Sequence, residues 1–408
     1  MKNIIKGIHF SIWIIGFSSL LVNISSVMVF GIAALYIKSL GVTTGLVLML
    51  EGMFEAIAYA MKLFSGVISD YLKRRKGVML FGLALFTLAR PIMAFFTSLN
   101  GVLISRLLDR FGNGIQSTPR DALVSDLATA DNRGACFGLR QSLAVAGSFI
   151  GGLLGIWCMV ATNQNFQEIF LYAAIPAILG LLLIVFFVKD SNDQENASNN
   201  KKAERRHPIH FSDFKRLGKS YWILMGIALV FTSTRVGESI LVLHATESFQ
   251  MDQSFSHGII MLYNGANSLC SYPVGYLSDR LGRYGFLGLS FVILIMSDAF
   301  LGFAHNLTCM IIGVALWGIQ IGISQSMFLS LIADHVPEDL RGTGIGFFYL
   351  ISSVSLIIAG IIGGIVAHYF SQFATFITSG IIGLVALLML IVFYKSLKLP
   401  NYENTKSN

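Results

Sequence analysis

The sequence predicts an all-α membrane protein of twelve transmembrane helices, arranged as two six-helix, pseudo-symmetric bundles. Three observations carry this reading. The 408 residues are 54% hydrophobic and only 12% charged, with a mean hydropathy of +0.70, whereas soluble domains are about 25% charged. Apolar runs recur at 8–36, 43–66, 77–97, 101–122, 136–160, 168–188, 221–245, 257–277, 285–304, 307–329, 343–367 and 373–394, and about 20 apolar residues cross ~30 Å of hydrocarbon. The third observation is a sequence repeat across a polar linker. A soluble enzyme and a secreted disulfide scaffold are excluded. So is an outer-membrane barrel, whose strands read as ~10-residue alternating segments.

The elements follow in order. Lys2 and Lys6 precede the first apolar run as they would in a signal peptide. That run, however, is longer than the roughly 7–15-residue core of a signal peptide and lacks a small-x-small cleavage site. It is read as a retained first span. Five more spans bring the first bundle to residue 188. Residues 189–219 are polar, charge-rich and nearly free of aliphatics, too poor in apolar surface to order themselves, and are read as a cytoplasmic linker. A second bundle occupies 220–408. The halves repeat: Gly66-Val-Ile-Ser-Asp70 returns as Gly275-Tyr-Leu-Ser-Asp279, an offset of 209, and Asp126…Arg133-Gly134 returns as Asp334…Arg341-Gly342, an offset of 208. Gly152 returns as Gly360 at the same 208. Parallel six-helix halves of this kind put a solute site near the midplane between them.

Charge fixes the expected orientation. Of 29 Lys and Arg, 21 fall in the segments of one side, including Lys73, Arg74, Arg75, Lys76, Arg133, Arg280, Arg283 and Arg341, and the opposite loops hold only Lys38. By the positive-inside rule both termini and the even-numbered loops are cytoplasmic, which predicts a multi-pass protein of the cytoplasmic (inner) membrane. The net charge of +7 is thereby explained by topology and not by nucleic-acid binding. Cys136, Cys158, Cys270 and Cys309 show no CxxC spacing, so neither a disulfide framework nor a zinc site is expected.

The repeated loops resemble those of the major facilitator superfamily, and the likeness covers essentially the whole chain. The family motif G-x-x-x-D-R-x-G-R-R lies between spans two and three and often recurs between eight and nine. Its second copy here is Gly275-Tyr-Leu-Ser-Asp279-Arg280-Leu-Gly282-Arg283-Tyr284; its first, Gly66-Val-Ile-Ser-Asp70-Tyr71-Leu-Lys73-Arg74-Arg75, departs after the aspartate. A second motif, R-x-x-x-G, reads Arg110-Phe-Gly-Asn-Gly114 in span four. The antiporter motif of the family is matched only by Gly147-x-x-x-Gly151-Gly152, without its proline. The resemblance implies a secondary transporter that works by alternating access. It also implies a gate in which Asp70 meets the N-terminus of span eleven and Asp279 that of span five. Asp126 would join Arg74, and Asp334 would join Arg280 or Arg283, in charge clusters that latch the outward-open state. Physically, Gly66 and Gly275 permit close helix approach, and a carboxylate suits a helix N-terminus.

Charges within spans are expensive and therefore functional candidates. Glu51 and Glu55 share one face of span two, and Arg106, Asp109 and Arg110 share one face of span four. Glu55 and Arg110 lie roughly 14–18 Å deep, so ion pairs Glu51–Arg106 and Glu55–Arg110 are expected. Each pair is either a static tie or a switch that a proton or a solute opens. Arg235 and Glu238, three apart in span seven, are either self-neutralising or a receptor for an anionic group. Lys62, Arg90, Arg120 and Arg140 are expected nearer the cytoplasmic ends, snorkelling; Asp298 has no assigned place. The site residues lean towards a polar or anionic solute, such as an organic acid, amino-acid derivative or siderophore, driven by protons. The alternatives are a proton-driven multidrug efflux pump and a transporter-like sensor. No P-loop, HExxH or His/Cys cluster occurs, so no enzymatic activity, metal or cofactor is expected. The expected partners are the small-molecule substrate, protons and the lipid bilayer, with the chain acting as a monomer.

Overall fold

The computed structural model describes residues 8–72, 74–128, 133–188, 217–337 and 340–398. At Asp70, Arg133, Gly275, Asp279, Arg280 and Arg341 only the backbone is described, so the gating contacts expected of them lie outside the described side chains. Residues 189–216 of the linker also lie outside.

Among the described residues the chain forms thirteen α-helices, one short 3-10 turn at Gln253–Phe255, and no strand. The helices are α1 Phe10–Ser39, α2 Thr44–Leu72, α3 Arg75–Phe95, α4 Leu99–Leu127, α5 Arg133–Ala161, α6 Phe166–Phe187, α7 Lys219–Thr232, α8 Ser239–Ser248, α9 Ser256–Leu281, α10 Arg283–Gly302, α11 Leu307–His335, α12 Arg341–Tyr369 and α13 Gln372–Lys398. Eight of them are long and apolar enough to cross a membrane: α1, α3, α5, α6, α10, α11, α12 and α13. The other long helices include α2, which carries Glu51 and Glu55, and α4, which carries Arg106, Asp109 and Arg110. Starts are chemically marked. Ser98, Asn165 and Asn306 cap α4, α6 and α11 by accepting from Gly101 N (3.3 Å), Gln167 N (3.2 Å) and Cys309 N (2.9 Å), which satisfies amides that have no partner inside the helix.

One predicted span is broken. The sequence reads as a continuous helix over 221–245, but α7 stops at Thr232 and α8 begins at Ser239. The cause is local. The hydroxyls of Ser233 and Thr234 donate to the carbonyls of Leu229 (2.8 Å) and Phe231 (2.7 Å), competing with the helix ladder. Gly237 then adopts φ +83°, which is costly for any residue with a Cβ.

The chain forms two compact units. The first comprises Met1–Thr43, Ile57–Lys201 and Leu241–Met261; the second comprises Thr44–Ala56, Lys202–Ile240 and Leu262–Asn408. The first unit has a core of Ile12, Ile15, Met79, Leu83, Phe86, Leu123 and Ile184. Glycines set its closest crossings. A Cβ on Gly82 would fall 2.6 Å from Gln116 N, and one on Gly112 would fall 2.5 Å from Phe86 N, so α3 and α4 touch backbone to backbone, as small residues allow in membranes. In the second unit Phe231 stacks on Phe291 at 4.1 Å, with Phe328 beside it. There α2 meets α12 through Gly52 and Gly360, where an added Cβ would lie 2.7 Å from the facing Cα.

Candidate functional site

The glycine crossing of α3 and α4 builds the first unit's polar centre. With Gly82 against Gly112, the antiparallel helices bring Ser105 Oγ to Ala89 O at 2.6 Å, and one residue on, Arg90 faces Asp109. Arg90 Nη1 donates to Asp109 Oδ1 at 2.7 Å, and Arg90 Nε donates to Ser25 Oγ of α1 at 2.9 Å. The second carboxylate oxygen, Asp109 Oδ2, lies 3.4 Å from Arg106 Nη1 and 3.6 Å from Arg110 Nε. All four side chains are buried, Arg90 and Arg106 at 1% exposure. Aromatic faces complete the setting: Arg90 sits over Phe86 at 4.1 Å, and Arg106 and Arg110 lie 5.7 and 5.1 Å from the Phe30 ring. Cations are favoured over such faces when water is excluded. Three arginines thus surround one carboxylate in a low-dielectric setting, where charge–charge interactions are strong.

Arg90 corrects the sequence reading. It does not snorkel at a cytoplasmic end but is the closest partner of Asp109. The signal was available: Arg90 is fifteen residues into a helix that starts at Arg75, roughly 22 Å along its axis. Ser25 and Phe30 carry no such signal, because only the packing of α1 brings them in. Two further basic residues expected nearer the cytoplasmic ends, Arg120 and Arg140, share Asp121, at 3.0 and 3.5 Å. Lys62 lies over the Tyr59 ring at 4.2 Å.

The second unit holds Glu51, Glu55, Arg235 and Glu238. Glu51 is buried at 1% exposure and stands near the break in span seven, its Cβ 3.7 Å from where a Gly237 side chain would begin. Arg235 and Glu238 do not neutralise each other. The break removes the helical i,i+3 geometry, Glu238 accepts from the Tyr263 hydroxyl at 2.7 Å, and the buried Nε and Nη2 of Arg235 have no hydrogen-bond partner among the described residues. The expected pairs Glu51–Arg106 and Glu55–Arg110 join residues of different units and are taken up below as part of the proposal.

The loop charges are partly as expected. Arg283 Nη1 reaches Asp334 Oδ2 at 2.5 Å. Asp126 pairs with Arg75 at 2.6 Å, in place of the expected Arg74. Arg75 is the first residue of α3, whereas Arg74 precedes the helix with extended φ −126°, so only Arg75 is carried on the rigid element. Among the described residues no group of histidine, cysteine and acidic side chains could hold a metal ion, and the four cysteines are free thiols.

Comparison with known proteins places this architecture. A sequence model of the Major Facilitator Superfamily matches residues 15–237 and 223–407. An uncharacterized MFS-type transporter of Methanocaldococcus jannaschii is 27% identical over 388 residues, 93% of this chain and 94% of the relative. Among solved structures, a POT family transporter in complex with 5-aminolevulinic acid superposes with a TM-score of 0.77 at 15% identity, covering 95% of this chain and 97% of its own. The nucleoside transporter NupG superposes with a TM-score of 0.76 at 12% identity, covering 94% and 99%. The repeated loop motif and the match along both halves converge on one assignment: the chain is a multi-pass membrane protein of the Major Facilitator Superfamily, a family of transporters and not of enzymes.

Proposed function

We propose that this transporter moves a small polar or anionic solute across the cytoplasmic membrane by alternating access, coupled to protons, with both termini cytoplasmic. The observation that carries the reading is the buried cluster of Arg90, Arg106 and Arg110 around Asp109. Charged side chains buried in hydrocarbon are expensive and are kept where they serve a function. Glu51 and Glu55 are the chain's own candidate counter-charges for these arginines, and the carboxylate or phosphate of a solute is the competing one. Protonation of Glu55 would release Arg110 to the solute, which ties proton entry to solute binding. A structural neighbour held with 5-aminolevulinic acid, a small carboxylate, supports the solute class. The loop motifs around Asp70 and Asp279, with Gly66, Gly275, Arg133, Arg280 and Arg341, would act as the cytoplasmic gate.

The test has two stages. A thermal-shift screen of the purified protein against organic acids, amino-acid derivatives, siderophores and hydrophobic drugs, at two pH values, identifies ligands by mass action. Counterflow and proton-driven uptake of the ligand found are then measured in vesicles. Glu55→Gln should keep counterflow and lose proton-driven accumulation, and Arg110→Ala should lose binding. Stabilisation by hydrophobic drugs alone would overturn the anionic reading in favour of multidrug efflux. Binding without counterflow would make the protein a sensor.

A further inference from the structure

Asp298, near the C-terminal end of α10, has no part in the scheme above. It lies fifteen residues beyond Arg283, roughly 22 Å along the helix, and is 1% exposed. Its Oδ2 is 2.6 Å from Ser379 Oγ of α13, and its Oδ1 has no hydrogen-bond partner among the described residues. Ser379 Oγ also lies 3.1 Å from the carbonyl oxygen of Thr234, at the broken part of span seven. Ser379 and Thr234 are themselves buried, at 3% and 1% exposure. The same carbonyl accepts from Val236 N at 3.0 Å, so it anchors the turn that carries Arg235.

Hydrogen counting favours the protonated state. A serine hydroxyl has one hydrogen, yet Ser379 stands between two acceptors. With Asp298 ionised, Ser379 donates either to the carboxylate, which leaves Thr234 O with the Val236 amide alone, or to Thr234 O, which leaves the carboxylate with no donor. With Asp298 protonated, its O–H donates to Ser379 Oγ, and the serine hydrogen passes to Thr234 O; both contacts are then satisfied. The charged neighbourhood points the same way. The facing helix α11 carries no titratable side chain between Cys309 and Asp334, and α13 carries none between Gln372 and Tyr394. On α10 itself the others are Arg283 and Tyr284, at its start. From span seven the nearest in sequence to Thr234 are Arg235, which forms no ion pair among the described residues, and Glu238, held by Tyr263. An uncompensated carboxylate at this depth is expensive, and its bare Oδ1 would add to the cost.

We propose that Asp298 is a proton-binding site and that its proton sets the hydrogen bonding of the break in span seven through Ser379. On losing that proton to water, Asp298 takes the Ser379 hydrogen for its own oxygen, and Thr234 O keeps only the Val236 amide. The turn bearing Arg235 is then released. This deepens the proton-coupled reading above and rests on it only for the use made of the proton.

The test uses the full chain in lipid, without substrate or gradient, so a failure of the transport reading leaves it interpretable. Infrared difference spectroscopy at neutral pH should show a carboxylic C=O band that Asp298→Asn removes and Ser379→Ala shifts to higher frequency by deleting its acceptor. Hydrogen–deuterium exchange over 233–239, normalised to the intrinsic rate, should show wild-type protection falling as that band titrates. Asp298→Asn should stay protected throughout, because its amide still donates to Ser379, and Ser379→Ala should lose protection at every pH. Absence of the band at neutral pH, or identical exchange profiles for wild type and Asp298→Asn, overturns the proposal.

Discussion

Replacing Asp109 with Asn tests the polar centre of the first unit most directly. The side chain keeps its size and one acceptor oxygen but loses the charge that faces Arg90 at 2.7 Å, Arg106 at 3.4 Å and Arg110 at 3.6 Å. Removing one partner of a buried ion pair costs about 3–5 kcal/mol, mainly because the other charge is left uncompensated. Three arginines are left here, so about 4–5 kcal/mol is expected. At about 2–4 °C per kcal/mol for a unit of some 200 residues, the unfolding midpoint in detergent should fall by roughly 10 °C or more. Adding Arg90→Gln removes the cation that faces this position at 2.7 Å, and the double variant should recover at least ~1 kcal/mol relative to the sum of the single changes. A midpoint for Asp109→Asn within about 1 kcal/mol of wild type, or strict additivity of the two changes, would refute the view that this carboxylate holds the arginines in place.

Three further outcomes follow from the geometry. Gly52→Val should destabilise the second unit by at least ~1–3 kcal/mol, since even its Cβ would lie 2.7 Å from Gly360 Cα; unchanged thermal unfolding would show that α2 and α12 are not in backbone contact. Gly31→Ala should displace the imidazole of His257, whose Nε2 donates to Met28 O at 2.9 Å and whose Cδ2 lies 2.6 Å from the new methyl position. The expected loss is about 1–3 kcal/mol in the same assay, and His257→Ala in the Gly31→Ala background should recover part of it. In the loop before α9, hydrogen bonds from the Ser254 hydroxyl and backbone N–H hold the Asp252 carboxyl below the usual carboxylate range. Because the folded value is the lower one, the loop contact is complete above the ordinary carboxylate pKa and is lost only as pH falls through the depressed value. Exchange of the Ser254 amide should therefore accelerate beyond its intrinsic rate only in acid, and acceleration near neutral pH would contradict this.

The helical membrane class was legible because hydropathy reports burial in lipid directly, and the family because loop motifs are local in sequence. Charged residues were legible as candidates for the same reason, since a charge in an apolar run has to be accounted for. Arg90 as the partner of Asp109 was not, because a glycine crossing that fixes the rotation of α3 against α4 selects it. The break at 233–238 was visible in composition as Ser-Thr-Arg-Val-Gly-Glu, but a window average over apolar neighbours conceals it. Asp298 stayed unplaced because its partner is a serine 81 positions away, and serine carries no signal of its own in a membrane span.

The break in span seven also constrains how the protein is made. Helices α7 and α8, of 14 and 10 residues, are roughly 21 and 15 Å long, each too short to cross ~30 Å of hydrocarbon alone. The carbonyl of Thr234, which accepts locally from Val236 N, takes its second hydrogen bond from Ser379, 145 residues later and in the last described helix. While the chain is still emerging from the ribosome, that side-chain donor is not yet synthesised. The second unit cannot settle until α13 has inserted. A nascent chain stalled before residue 379 should remain susceptible to membrane quality control at the break, however completely its first unit has folded.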